Sequence, residues 1–384
     1  MVTLFARPRF ILAVLLAASA LQMATAGCSG FFTDRTTTTT SSSQSFAFVS
    51  NFNNAGAGTI SMYTLNTSTG ALTTGSTVAT GASSDATSFG PAALATAKAG
   101  SFLYSANDGG TVSAFSVNAT TGALTAISGS PFPTSLSVPT AIAVDPTSKF
   151  VYAADSGGAG VAAFSINSST GGLTKVTGSP FTAGGFRSVG VTVHPNGKFL
   201  YLALESFGTG VFNIDTSSGA LSSFRIVPPF ANGQPQAIAI NPAGTFAYIA
   251  NGFSGVEAYS VTSTGDLTRI GLSAFPTGNN PIAIATDTSG KFVYVVNRDD
   301  ATAANNTITA LAIQSDGSLA QITSGTLSLH SPSSVALDPS GKFVFVTNFN
   351  NATVSTFSIN SSTGQLTLVG AVSTGTNPSG IAFR

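Results

Sequence analysis

The chain has 384 residues and zero formal net charge, and only 7% of it is charged, against roughly 25% in an average soluble protein. Lys and Arg stand singly along the sequence, which excludes the clustered cations that a nucleic-acid binder needs to displace counterions. One cysteine, Cys28, and two histidines, His194 and His330, exclude an intramolecular disulfide and a Cys/His metal cluster, and no cofactor motif is found.

Residues 1–27 read as an export signal. Arg7 and Arg9 supply a positive start, and the apolar stretch Phe10–Leu21 is shorter than the roughly 20 residues of a membrane span. Two processing readings compete. Ala24-Thr25-Ala26 suits ordinary signal-peptidase cleavage and a secreted or periplasmic protein. Thr25-Ala26-Gly27-Cys28 resembles a bacterial lipoprotein box, with Thr where Leu is usual. The preferred reading is lipidation of Cys28, which would fix the protein to a membrane of the bacterial envelope, since each buried CH₂ contributes about 0.8 kcal/mol. Residues 28–44, rich in Ser and Thr, then form a tether with nothing to pack.

From residue 45 the chain repeats itself. An aromatic-rich segment recurs seven times, at Phe46–Asn51, Phe102–Asn107, Phe150–Asp155, Phe199–Leu204, Phe246–Asn251, Phe292–Asn297 and Phe343–Asn348. A Gly-closed turn followed by Leu also recurs seven times, at Leu72, Leu124, Leu173, Leu221, Leu267, Leu319 and Leu366. Two markers sharing one count and a period of about 48 residues predict an all-β, seven-bladed β-propeller over residues 45–384, four antiparallel strands per blade. Strand A is small-residued, as in Ala237–Ile240, and ends in a turn such as Asn241-Pro-Ala-Gly244. Strand B is the aromatic segment, strand C alternates as in Val112–Val117, and strand D begins at the recurrent Leu. Small strand-A residues suit a crowded channel, and the strand-B aromatics suit the space between blades. The first unit lacks a strand A, and the chain ends on a solitary one at Asn377–Phe383. That last strand is expected to complete the first blade and close the ring.

Tyr294-Val-Val-Asn297 and Phe345-Val-Thr-Asn348 resemble the YVTN-type propeller repeat. Pro339–Phe343, His194–Phe199 and Thr363–Thr367 are similar to segments of the lactonase-type seven-bladed propellers, the 6-phosphogluconolactonase-like proteins. The resemblance covers residues 46–384 and implies this fold, and with it a lactone hydrolase. The family's functional stretch reads Pro-Arg-His, three residues, His-Pro-Asn-Gly-Lys, then Asn-Glu at the end of strand B. This sequence matches it at His194–Lys198 and Glu205. It carries Val189 and Gly190 at the Arg-His pair and Leu204 before the Glu. Lactone opening needs a cation at the carbonyl and a group to handle protons.

Glu205 is the candidate catalytic residue. His194 occupies the turn position of Asp145, Asn241, Asp287 and Asp338 in other blades and reads as a structural turn residue. The recurrent Asn or Asp at the end of strand B reads as a backbone-capping group. Directly after it the blades diverge, showing Phe52, Asp108, Ser156, Glu205, Gly252, Arg298 and Phe349. The connections from strand D to strand A should emerge on the same face. Arg187, Glu205, Arg298 and His330 could therefore line the channel mouth and bind a small anionic or sugar-like ligand. Asp299 and Asp300 read as exposed loop carboxylates, and Gly-rich Ser156–Gly160 as a hairpin turn, since no helix follows it. The expected function is an exported, lipid-anchored, monomeric propeller that binds a ligand or an envelope protein. The alternative is a sugar-lactone hydrolase.

Overall fold

The computed structural model describes residues 44–52, 58–81, 91–97, 100–229, 233–253, 255–299, 306–323 and 327–384. The export signal, Cys28, the tether to residue 43 and Asp300 lie outside the described residues. No helix is long and apolar enough among the described residues to cross a membrane.

The described chain forms seven antiparallel sheets, each ordered A-B-C-D from channel to rim. Blade two runs through Pro91–Ala97, Phe102–Asn107, Thr111–Val117 and Leu124–Ala126, with Phe132–Pro133 added beside strand C. Blade three is Pro139–Val144, Phe150–Asp155, Val161–Ile166 and Leu173–Lys175; blade four is Ser188–Val193, Phe199–Leu204, Gly208–Ile214 and Leu221–Val227. Blade five is Pro235–Ile240, Phe246–Asn251, Gly255–Val261 and Leu267–Phe275; blade six is Pro281–Thr286, Phe292–Asn297, Thr307–Ile313 and Leu319–Gln321. Blade seven is Pro332–Leu337, Phe343–Asn348, Thr353–Ile359 and Leu366–Ser373. Blade one takes strands B to D from Ser45–Asn51, Thr59–Leu65 and Leu72–Ala79, and strand A from the chain end, Pro378–Phe383.

Period-2 alternation in strand B sends successive side chains to opposite faces of a blade. Both faces are covered by neighbours, so strand B is buried except for the half-buried Ser45 and Phe246 at its start. Phe46 and Phe48 face blade two in a cluster with Leu103 and Phe115. Ala47 and Val49 face blade seven in a cluster with Phe343 and Phe345. Seven such clusters occur, one at each blade-to-blade interface. The core is thus a set of wedges, and each buried aromatic side chain contributes about 1.5–3 kcal/mol.

The wedges are indexed by one contact. The first Phe of each strand B lies on the glycine of the next blade's C–D turn. The pairs are Phe46 with Gly122, Phe102 with Gly171, Phe150 with Gly219, Phe199 with Gly265, Phe246 with Gly317, Phe292 with Gly364 and Phe343 with Gly70. A Cβ on any of these glycines would fall 2.3–2.5 Å from the ring. Each glycine also has φ between +70° and +84°, a conformation that costs little only without a Cβ. The Tyr two residues on donates its hydroxyl to that same glycine's carbonyl. Tyr104, Tyr152, Tyr201, Tyr248 and Tyr294 do so at 2.8–3.2 Å.

The ring closes as the sequence predicts. Val49 pairs with Ile381 and Ala47 with Phe383 in an antiparallel ladder, and Arg384 and Phe46 exchange backbone hydrogen bonds at 2.9 and 3.2 Å. Blades one and seven carry Phe48 and Phe345 where the other five have Tyr, so the staple to the turn glycine is missing in both. Between blades seven and one Tyr63 supplies a substitute, donating to the Ser373 carbonyl at 2.9 Å. Deleting residues 377–384 is expected to strip strand A from blade one and lower Tm by well over ten degrees; a melt within a few degrees of full length would refute closure by this strand.

Burial pushes the hydroxyls of Tyr104, Tyr152, Tyr201, Tyr248 and Tyr294 above the ordinary value of 10.0. The folded chain therefore holds these protons more tightly than the unfolded chain. Their stabilising contribution is complete below about pH 10 and declines as the pH rises above it. Thermal melts from pH 8 to pH 11.5 should be flat to about pH 10 and then fall, and the fall should be shallower in Tyr152→Phe.

Candidate functional site

The B–C loops and the D–A connections share one face, where strands B end and strands A begin. Strand A begins with the same irregularity in all seven blades. The residue after its first position is bulged out of the ladder: Ala92, Thr140, Val189, Gln236, Ile282, Ser333 and Ser379. A bulge re-aims a side chain, and all seven of these residues are half-buried on the innermost strands. The mouth is therefore ringed by one added side chain per blade.

The Asn ending strand B acts as a clamp. Its amide donates to a pair of hydroxyls on strand C: Asn51 to Thr59 and Ser61, Asn107 to Thr111 and Ser113, Asn297 to Thr307 and Thr309, and Asn348 to Thr353 and Ser355, at 2.8–3.2 Å. The sequence predicted capping of nearby backbone, whereas the principal partners are side chains of the next strand. Blade five replaces the second hydroxyl with the buried Glu257, which accepts from Asn251 Nδ2 and from the Tyr259 hydroxyl, each at 2.5 Å. Blade four abandons the clamp. Leu204 stands for Asn, and Gly208 and Gly210 stand for the hydroxyl pair. A Cβ on Gly210 would meet Phe224 at 2.9 Å and Leu204 at 3.2 Å, so an apolar plug fills the space.

Directly after Leu204, the Glu205 backbone N–H donates to the Arg187 carbonyl at 3.0 Å. Arg187 Nε lies 3.2 Å from Glu205 Oε2. Its N–H is aimed at the Ser156 carbonyl of blade three, at 3.0 Å. Glu205 Oε2 thus feels the cation without receiving a hydrogen bond. It is buried and unbonded, as are Ser188 Oγ and Thr140 Oγ1. Ser188 pairs with Leu204 across the ladder. Phe186 and Phe207 stack beside this group, centroids 4.2 Å apart, and Phe207 is half exposed.

Of the four residues predicted at the mouth, the structure brings two together, Arg187 and Glu205. Arg298 lies in blade six, where it lines a cavity of about 540 Å³ with Phe253, Asn279, Asn280 and Asp299. Asp299 is half-buried and accepts from Asn279 Nδ2 at 3.1 Å. His330 is exposed on the connection into blade seven, its backbone N–H 3.5 Å from Asn348 Oδ1. No group of three His, Cys, Asp or Glu side chains among the described residues could hold a metal ion.

His194 lies at the far end of strand B, about 20 Å from Glu205 at the strand rise. Its Nδ1 accepts from the Asn196 N–H at 3.1 Å, so Nε2 carries the proton and donates to the Gly244 carbonyl of blade five at 2.8 Å. Asn241 holds the same turn in blade five through its Oδ1. His194 is a structural turn residue.

Comparison with known proteins settles the lineage. A family model described as lactonase, 7-bladed beta-propeller, matches residues 41–186 and 271–383. The chain belongs to this lactonase propeller family. The match leaves out residues 187–270, which hold all of blade four and most of blade five, and with them Arg187, His194 and Glu205. Solved structures similar to this lactonase-family chain share its fold at low identity. A candidate 6-phosphogluconolactonase from Bacteroides uniformis is 20% identical with a TM-score of 0.74, over 89% of this chain and 100% of that one. A periplasmic gluconolactonase from Pseudomonas aeruginosa is 20% identical with a TM-score of 0.73, over 89% and 99%. A protein from Lactobacillus plantarum is 22% identical with a TM-score of 0.70, again over 89% and 99%. No curated protein matches the sequence.

Several mouth residues escaped the sequence reading. Thr140 gave no signal, because a bulge is visible only in register, and neither did Ser188, an ordinary ladder residue that pairs with Leu204. Phe207 and Phe253 could have been found as apolar residues in hairpin loops, where polar ones are usual. Substituting His194→Asn should cost about 1 kcal/mol, the bond to Gly244, and leave ligand binding unchanged; calorimetric melts and titrations of the variant check this.

Proposed function

We propose that this lactonase-family propeller is exported and binds a small anionic or sugar-like ligand at its channel mouth, over blades three and four, without hydrolysing it. The carrying observation is the trio of buried, unbonded oxygens at Thr140, Ser188 and Glu205. Each such atom costs about 1–3 kcal/mol unless something bonds to it. Hydroxyl groups of a ligand answer two of these positions as donor or acceptor and can donate to the third. The outward part of Arg187, whose side chain is 62% exposed, suits an anionic substituent, and the Phe186–Phe207 pair suits the apolar face of a sugar ring. Residues 1–27 support export, and Cys28 supports a lipid anchor in the envelope. The periplasmic Pseudomonas aeruginosa neighbour agrees with that address.

Hydrolysis is disfavoured because Arg187 and Glu205 engage each other, and Val189 and Gly190 stand where the family carries its Arg-His pair. One observation favours the alternative, a sugar-lactone hydrolase with Glu205 as its proton acceptor: Glu205 Oε2 receives no hydrogen bond, which leaves a lone pair available to a substrate proton. Both readings are tested on the full chain with gluconate binding by calorimetry and hydrolysis of glucono-δ-lactone. The expected result is saturable gluconate binding, weakened roughly tenfold in Arg187→Ala as one charge-assisted contact is lost, and hydrolysis at background. Hydrolysis that Glu205→Gln abolishes would replace the binding reading with the hydrolase.

A further inference from the structure

A second feature of the same face is independent of Glu205. In most blades the acceptor of the clamp residue is bonded by the arriving D–A connection. Asp155 accepts from the Val138 N–H and Asn251 from the Gln234 N–H, each donor standing directly before the strand-A proline. The counterpart in blade six is Asn280, whose φ of 45° is left-handed and turns its N–H elsewhere. Ser331 and Asn377 have the same conformation in blades seven and one, with φ of 50° and 53°, but there substitutes arrive: the His330 N–H reaches Asn348 and the Thr374 hydroxyl reaches Asn51. In blade six none does. Asn297 Oδ1 is fully buried and unbonded.

The same connection, from Pro276 to Pro281, lines a cavity of about 540 Å³, inside the roughly 300–1,000 Å³ of small-molecule sites. Glycines let its walls approach closely. A Cβ on Gly252 would fall 2.9 Å from Asn280 Oδ1, and one on Gly278 would fall 2.9 Å from Asn297 Cβ and Cγ. Phe253 stands at its wall with 71% of its surface exposed, although an exposed aromatic ring in a hairpin loop stabilises nothing in the fold. The polar lining is planar and of mixed sign. Arg298 and Asp299 are adjacent and cancel in charge, and Asn279 and Asn280 add carboxamides. Planar donor and acceptor pairs match neighbouring hydroxyls, and a lining without net charge selects against ions.

We infer that the cleft between blades five and six is a second binding site, for a neutral saccharide that stacks one ring face on Phe253 and hydrogen-bonds Asn279, Arg298 and Asp299 through adjacent hydroxyls. The test is titration of the full chain with cellobiose, maltose and sucrose, followed by calorimetry and saturation-transfer NMR. At least one disaccharide should bind saturably. Phe253→Ala should weaken it roughly tenfold, the scale of one lost ring contact, while melting as the parent does. Asn279→Ala should weaken it independently, and Glu205→Gln should leave it unchanged. Absence of saturable binding by all three sugars, equal binding by Phe253→Ala, or loss of binding in Glu205→Gln would each overturn the inference. The last outcome would assign the sugar to the blade-four site instead.

Discussion

Everything in this molecule depends on a phenylalanine ring lying flat against a glycine that belongs to the next blade. A single blade is a twisted four-stranded sheet with two apolar faces, and it cannot bury either by itself. The ring fixes how far one blade sits from its neighbour, and the glycine fixes where the neighbour's rim turns. Positive φ and the missing Cβ are both required at the same atom, so any side chain there meets strain and collision together. Repeating the contact seven times sets the angle between blades, and the remaining aromatic and aliphatic side chains fill the wedge so defined.

That arrangement separates stability from recognition. The indexing contacts lie between strand B and the C–D turns, while the mouth is formed by B–C loops, D–A connections and the bulged residues of strand A. A change at a solvent-facing mouth position leaves the indexing contacts untouched. Blade four illustrates the freedom: it exchanges an amide and two hydroxyls for a leucine and two glycines, and presents Glu205 and Arg187 on the resulting apolar plug. The family model loses the chain over that same stretch, residues 187–270. Membership of the lactonase propellers therefore describes the scaffold, and the site has to be argued from its own atoms.

Strand B, and the leucine that opens strand D, were legible in the sequence almost to the residue. Strand B is buried at nearly every position and the leucine is buried in five of seven repeats, and burial on two sides leaves few acceptable side chains, so the pattern recurs visibly. Ring closure was legible for the same reason, because one strand was missing at the start and one was spare at the end. The site was less so. Sequence placed Arg187, Glu205, Arg298 and His330 on one face, which topology alone decides. It did not separate Arg187 and Glu205 from Arg298, because the separation follows from which blade each connection enters and how it bends. The left-handed Asn280 and the bulge at Thr140 are matters of register and dihedral angle, and neither leaves a composition signature.

The borrowed strand also has a consequence in time. A chain made from its N-terminus presents the first blade as three strands with an open inner edge. The segment that covers this edge, Pro378–Phe383, follows every other strand of the ring in chain order. Neighbouring blades can collapse on one another as they emerge, yet the ring stays unlatched until this strand has been made. The order of manufacture thus holds the whole assembly short of its final state until the final six-residue strand arrives. A chain that breaks off before this strand is left with an unpaired strand edge, open to pairing with another chain.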